Sequence, residues 1–173
     1  MLRAFLDRLY LYCGYLAAAF MVGIGIVVVL QVVWRMRGLT LDATEAAGFC
    51  MAAATFLGLA HTFRHGTHVR IGLLIARLPP NRRQAFEIGN CVLGLALVGF
   101  LAWHATAFAL QSWEFNDISP GLLAMPMWIP QAGVAFGIAV LAIALLDELI
   151  HVLRGGSPRY EPEREDVSDR PVA

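Results

Sequence analysis

The sequence contains no lysine, and four long stretches of it contain no charged side chain. Arginine supplies all 13 basic residues, which 13 acidic residues balance, so the formal net charge is zero. Without excess positive charge the chain is not suited to bind nucleic acid, and with 58% hydrophobic residues it is too apolar to be disordered. The three cysteines (Cys13, Cys50 and Cys91) lie in apolar stretches and predict no disulfide framework.

The uncharged stretches are 26, 18, 26 and 29 residues long and comprise residues 9–34, 46–63, 88–113 and 118–146. A helix rises about 1.5 Å per residue, so roughly 20 residues cross the hydrocarbon core of a bilayer. Because proline is tolerated in a first helical turn but not in the middle of a helix, Pro126 and Pro130 predict that the fourth helix begins near Pro130 or Met127. Residues 127–146 are long enough to span. The predicted fold class is an all-α integral membrane protein with a bundle of four transmembrane helices. The remaining segments are too short for a folded catalytic domain, so we expect no enzyme.

The arginines predict how the chain lies in the membrane. Eleven of them precede the first stretch, separate the second from the third, or follow the fourth, whereas only Arg35 and Arg37 lie on the other side. The positive-inside rule therefore predicts cytoplasmic N- and C-termini. Tryptophans at the predicted outer ends agree with this orientation because indole rings collect at the membrane interface. Trp103 lies inside the third stretch and is predicted to be a packing residue.

Two polar segments complete the predicted domain organisation. In the middle loop, apolar residues of 69–78 alternate with histidine and arginine, which predicts a short interfacial amphipathic segment, with an extension of the second helix as the alternative. Residues 1–153 are predicted to form the four-helix membrane domain. Residues 154–173 are rich in Glu, Asp, Arg and Pro and are predicted to be a disordered cytoplasmic tail.

Few residues in the spans are able to carry chemistry. His61 and His151 are the only histidine pair whose predicted depths could match, which leaves a haem-binding membrane anchor of a respiratory enzyme as an alternative. A self-contained channel is disfavoured because the stretches hold no charged residue, and no metal site or cofactor is predicted. Gly133 and Gly137 form a GxxxG pair, which predicts close helix packing.

The arrangement of residues resembles the small membrane subunit of tripartite ATP-independent periplasmic (TRAP) transporters, the DctQ-type family, over nearly the whole chain up to the tail. The sequence departs from the family's pattern at Gly72, where the family usually has an acidic residue, so no carboxylate is available there. The resemblance is carried by Glu45 at the start of the second span, the segment Gly66, Thr67, His68, Val69, Arg70, Ile71, then Leu73, Leu74, Leu78, Pro79, Trp103, and the run from Pro126 to Pro130.

The resemblance implies an accessory scaffold subunit of an ion-gradient-driven organic acid (carboxylate) uptake transporter in the bacterial inner membrane. The implied partners are a large multi-span permease subunit that carries the substrate and sodium sites, a periplasmic substrate-binding protein, and membrane lipids. We expect a partner or lipid interface at Glu45, His68 and Arg70. We expect a periplasmic docking surface that includes Glu114, Asn116, Asp117 and Ser119.

Overall fold

The structure is a computed structural model that describes residues 2–39, 43–64, 80–121 and 124–154. All four of its helices are long and apolar enough to cross a membrane. Among the described residues, the only β-type pairing is an isolated β-bridge that joins Ile118 to Pro126. The predicted fold class, all-α with four transmembrane helices, is confirmed. The helices are α1 (Leu2–Met36), α2 (Thr44–Arg64), α3 (Pro80–Glu114) and α4 (Trp128–Leu153).

The helices extend beyond the uncharged stretches because polar residues continue the same helices past the hydrocarbon layer. α3 begins at Pro80, a residue whose missing N–H is harmless at the start of a helix. α4 begins at Trp128, so Pro130 lies in its first turn, where proline is tolerated. The predicted amphipathic segment and the predicted tail lie outside the described residues.

The helices form a row in the order α1, α2, α4, α3, because the extensive contacts join α1 to α2, α2 to α4, and α4 to α3. The inner and outer members of the row differ sharply in burial. In the most apolar 18 residues of each helix, the buried share is 44% in α4 and 22% in α2, against 11% in α3 and none in α1. α2 and α4 are therefore the centre of the row, and α1 and α3 are its edges.

Small and medium side chains make the core where α1, α2 and α4 meet. Ala60 on α2 is fully buried, and Tyr10 on α1 is 1% exposed. The cluster they belong to also contains Cys13 on α1, Ala53 and Leu57 on α2, and Val140 and Ala144 on α4. Small residues of this kind let membrane helices approach closely, since lipid supplies no hydrophobic force to drive them together.

Gly137 marks the closest approach of α4 to α2. A Cβ atom at this position would lie 2.5 Å from the carbonyl carbon of Phe56 and 2.9 Å from the amide nitrogen of Leu57. Both atoms belong to the backbone of α2, so they cannot rotate away as a side chain could. Gly133, one turn earlier, has no atom within 4 Å of its Cβ position. The two glycines of the predicted GxxxG pair therefore do not share one packing role, since only Gly137 makes the close contact.

This difference gives a matched pair of variants. We expect Gly137→Ala to destabilise the chain by about 1–3 kcal/mol, because the added methyl group forces α2 and α4 apart. Gly133→Ala should leave stability unchanged or raise it slightly, since alanine favours the helix and meets no neighbour. Thermal unfolding in detergent micelles measures both. Equal melting temperatures for the two variants would contradict the assigned contact.

Candidate functional site

The connection between α3 and α4 is a folded hairpin and not an open loop. The Ser119 amide donates to the Met125 carbonyl at 2.9 Å, and the Met127 amide donates to the Asp117 carbonyl at 2.9 Å. The chain turns with positive φ values of 52° at Asn116 and 44° at Ala124. We call residues 115–121 and 124–127 the α3–α4 hairpin. Its backbone hydrogen bonds hold these residues in one short folded structure, at the end of the row where α2 and α4 begin.

Glu45 connects this hairpin to α2. It lies in the first turn of α2, where a carboxylate is favoured by the positive end of the helix dipole. Its side chain lies against Gly121 of the hairpin, and a Cβ atom on Gly121 would overlap the carboxylate, with Oε1 at 2.8 Å. Glycine at position 121 therefore gives the Glu45 carboxylate its space. The contact ties the first half of the chain to the second.

The predicted periplasmic docking residues fall into two groups. Glu114, Asn116 and Asp117 are exposed at the end of α3 and the start of the hairpin. Ser119 is only 8% exposed, and its Oγ accepts a hydrogen bond from the Gly121 amide at 3.4 Å. The Ser119 hydroxyl therefore stabilises the hairpin from within, and a docking role for this group of residues stays a prediction. His68 and Arg70, predicted at the cytoplasmic interface, lie outside the described residues.

The tryptophans of α3 occupy two different environments. Trp113 stacks on Trp128 of α4, with ring centroids 5.9 Å apart and an interplanar angle of 30°, at the end of the row that carries the hairpin. Trp103, predicted to be a packing residue, is 75% exposed and so does not pack against the other described helices. A single hydrophobic helix gives no sequence signal for which of its sides faces a neighbour.

Two buried carboxylates were missed by the sequence analysis. Glu87 on α3 is 2% exposed and Glu148 on α4 is 3% exposed, and neither is without an interaction partner. Leu145 touches the Cβ position of Gly94, and this register places both carboxylates near the same end of the α3–α4 interface. Glu148 follows the fourth uncharged stretch by two residues. Its four-residue spacing from the buried Ala144 and Val152 was the available signal, since residues at that spacing share a helix face.

The geometry does not support the haem alternative. Gly137 lies beside Phe56 and Leu57, and α2 and α4 run in the same direction, so His61 is level with about Leu141. His151 lies about 15 Å further along the axis of α4 at about 1.5 Å per residue, whereas the two axial ligands of a haem must meet at one iron. The His61 ring instead packs on α1, with Cγ 2.8 Å from the Cβ position of Gly14.

Three cavities formed by described residues lack the groups that bind an organic anion. A groove of about 410 Å³ lies between α1, α2 and α4, and every side chain that lines it is uncharged. Two further clefts, one between α1 and α2 and one between α3 and α4, are also lined without any charged side chain. Carboxylate recognition uses arginine, lysine or converging N–H donors. Within the described ranges, no three His, Cys, Asp or Glu side chains gather into a metal site either.

These features define a multi-pass helical membrane protein whose described cavities lack the groups needed to bind a charged substrate. Comparison with known sequences gives the family. The sequence model of the family described as "Tripartite ATP-independent periplasmic transporters, DctQ component" matches residues 24–155. The chain belongs to this family, a family of transporter subunits and not of enzymes, and is a multi-pass protein of the bacterial inner membrane. The resemblance inferred from the sequence is confirmed.

Two curated relatives are similar to the chain. It is 28% identical over 113 residues to the C4-dicarboxylate TRAP transporter small permease protein DctQ of Rhodobacter capsulatus, covering 65% of this chain and 49% of that protein. It is 26% identical over 95 residues to the ectoine TRAP transporter small permease protein TeaB of Halomonas elongata, covering 53% of this chain and 49% of that protein. The matches span about half the length of these relatives.

The contact between Glu45 and Gly121 can be tested with a double-mutant cycle. Gly121→Ala should lower the melting temperature because its methyl group displaces the Glu45 carboxylate. Glu45→Ala alone should cost about 0.3–1 kcal/mol through the lost dipole interaction. In the double variant the two losses should not add, with a coupling of about 0.5–3 kcal/mol, because the shortened side chain leaves room for the methyl group. Gly48→Ala, in open space on the same helix, is the control. Additive losses would show that the two residues do not interact.

Proposed function

We propose that this chain is the small accessory permease subunit of a TRAP-type uptake transporter for an organic acid, driven by an ion gradient. In this role it does not bind the substrate itself. It supports a large multi-span subunit that carries the translocation pathway, and a periplasmic substrate-binding protein delivers the substrate to the pair. The transported compound is proposed only as a class, an organic acid.

One observation carries this proposal: the chain belongs to a transporter family, and the three cavities described above contain no charged side chain. Ion and substrate pathways in membranes are marked by ionisable groups that face the interior or a water-filled cavity. The buried Glu87 and Glu148 lie near one end of the α3–α4 interface and line none of these cavities. This arrangement supports the proposal that the substrate pathway belongs to another subunit.

The row of helices supports a scaffold role. The two edge helices of the row have large apolar side chains that the other described helices leave uncovered, which provides surface for a partner. Among the large apolar side chains exposed on α1 and α3 are Val22, Ile26, Phe100 and Phe108. A moving transport domain needs a fixed body in the bilayer to move against, and a row of helices docked on that body would widen it.

Affinity purification from the native membrane tests the proposal. The full-length chain carries a tag at its C-terminus, is extracted in mild detergent, and the proteins that accompany it are identified by mass spectrometry. We expect one large multi-span membrane protein as the main partner. Recovery of soluble redox subunits would favour a respiratory anchor, and recovery of the tagged chain alone would contradict an accessory role.

A second experiment tests the cytoplasmic interface predicted from the sequence. We propose that Arg70 binds lipid phosphate or an acidic loop of the partner, because a guanidinium group pairs with oxyanions through parallel hydrogen bonds. Arg70→Ala should lower recovery of the large subunit and uptake of the organic acid together. Arg159→Ala, in the C-terminal segment, is the matched control and should lower neither. Unchanged assembly and uptake in Arg70→Ala would refute the assignment of Arg70.

A further inference from the structure

The two edge helices of the row each have an outward face that no other described helix covers. α1 contacts α2 on one side, and α3 contacts α4 on one side. The two outward faces are equally accessible but differ in chemistry, and this difference indicates which of them faces a protein partner and which faces lipid.

In the middle of the span the outward face of α1 is aliphatic, and the exposed Tyr12 and Tyr15 on the same face lie nearer the start of the helix. Val22, Ile26, Val29 and Val33 follow one another at helical spacing and are 62%, 55%, 62% and 39% exposed. None of these side chains carries a polar atom. A surface of branched aliphatic groups is well solvated by acyl chains and needs no protein to cover it.

The outward face of α3 contains polar atoms deep in the membrane. His104 is exposed and lies about 14 Å deeper than Trp113 at about 1.5 Å per residue. Its ring contacts Phe100 of the same helix, with centroids 4.3 Å apart. Trp103 beside it is 75% exposed, and its indole N–H is a donor that is usually found at the membrane interface and not at this depth.

The backbone of α3 can accept a hydrogen bond from a hydroxyl of its own helix, but it does not do so from the longer imidazole side chain. The Thr106 hydroxyl donates to the Ala102 carbonyl at 2.8 Å, so it is satisfied within its own helix. The ring of His104 projects beyond the backbone on the exposed side, where the hydrocarbon layer offers nothing to its N–H groups. Ionisable residues within transmembrane segments almost always face a protein interior or a water-filled cavity, because their exposure to lipid is costly.

We propose that the α3 surface formed by Ala96, Phe100, Trp103, His104 and Ala107 is the docking surface for a transmembrane helix of the large permease subunit. This inference rests on the proposed function. Ala96, Phe100, Trp103 and Ala107 lie on one face at helical spacing, and the two alanines leave room on either side of the large rings for a partner's side chains. The partner helix is apolar and presents a hydrogen-bonding group level with His104. The outward face of α1 contacts lipid.

Photocrosslinking in the native membrane tests this assignment. A benzophenone amino acid replaces Trp103 in one variant and Val22 in another, and both side chains are well exposed within a span, at 75% and 62%. We expect a light-dependent adduct between the Trp103 variant and the large subunit, and none from the Val22 variant. An adduct only from Val22, or an adduct of Trp103 with a second copy of this chain, would overturn the proposal.

Substitution of His104 gives opposite results for a protein-facing and a lipid-facing surface. If α3 docks on the partner, His104→Leu should weaken recovery of the large subunit about three- to sixteen-fold, which corresponds to about 0.6–1.7 kcal/mol for one hydrogen bond between membrane helices. His104→Gln should restore recovery because an amide can hydrogen-bond. If α3 faces lipid, His104→Leu should leave recovery unchanged and raise the melting temperature of the chain, which would overturn the proposal.

The two proposals fail in distinguishable ways. If the unmodified chain brings no large subunit out of the membrane, the accessory role itself is wrong. If the large subunit is recovered but crosslinks through Val22 and tolerates His104→Leu, the accessory role stands and only the α3 assignment is overturned.

Discussion

The cost of placing a polar group in hydrocarbon governs this structure. It keeps charged side chains out of four long stretches, and it requires each backbone N–H and C=O to be satisfied within its own helix. Lipid tails are as apolar as the side chains, so the hydrophobic force that packs helices in water is absent. Association therefore depends on close contact between small residues. A core of three alanines with one cysteine, valine, leucine and tyrosine between α1, α2 and α4 is a consequence of that condition.

Two glycines show how the halves of the chain meet. At Gly137 the backbone of α2 lies where a Cβ atom would be, and at Gly121 the Glu45 carboxylate does. One contact lies inside the row and the other on the hairpin at its end. Together they fix the distance between α2 and α4 and the position of the α3–α4 hairpin. The rigid body that results can serve as a support for a moving partner.

The sequence predicted well which residues form each span, and poorly which side of each helix faces its neighbours. The uncharged stretches predicted four helices, and the two prolines predicted that the fourth begins near Met127 or Pro130, where α4 begins at Trp128, because both signals depend on position along the chain. Which side of a helix faces its neighbour depends on the rotation of the helix about its own axis. A span that is apolar all round carries little information on this rotation. This is why Trp103 proved exposed and Glu148 proved buried. It is also why Gly133 and Gly137, identical in their sequence motif, have different surroundings.

The order of helices in the row has a consequence for how the chain is made. α1 pairs with α2, and α3 pairs with α4, each with the helix next to it in the sequence, whereas the extensive contact between the two pairs of described helices is the α2–α4 seam. Each pair is a helical hairpin that can insert as it leaves the ribosome, before the other pair exists. Assembly then reduces to a single lateral docking of two inserted hairpins, and the glycine at position 137 determines how closely they join.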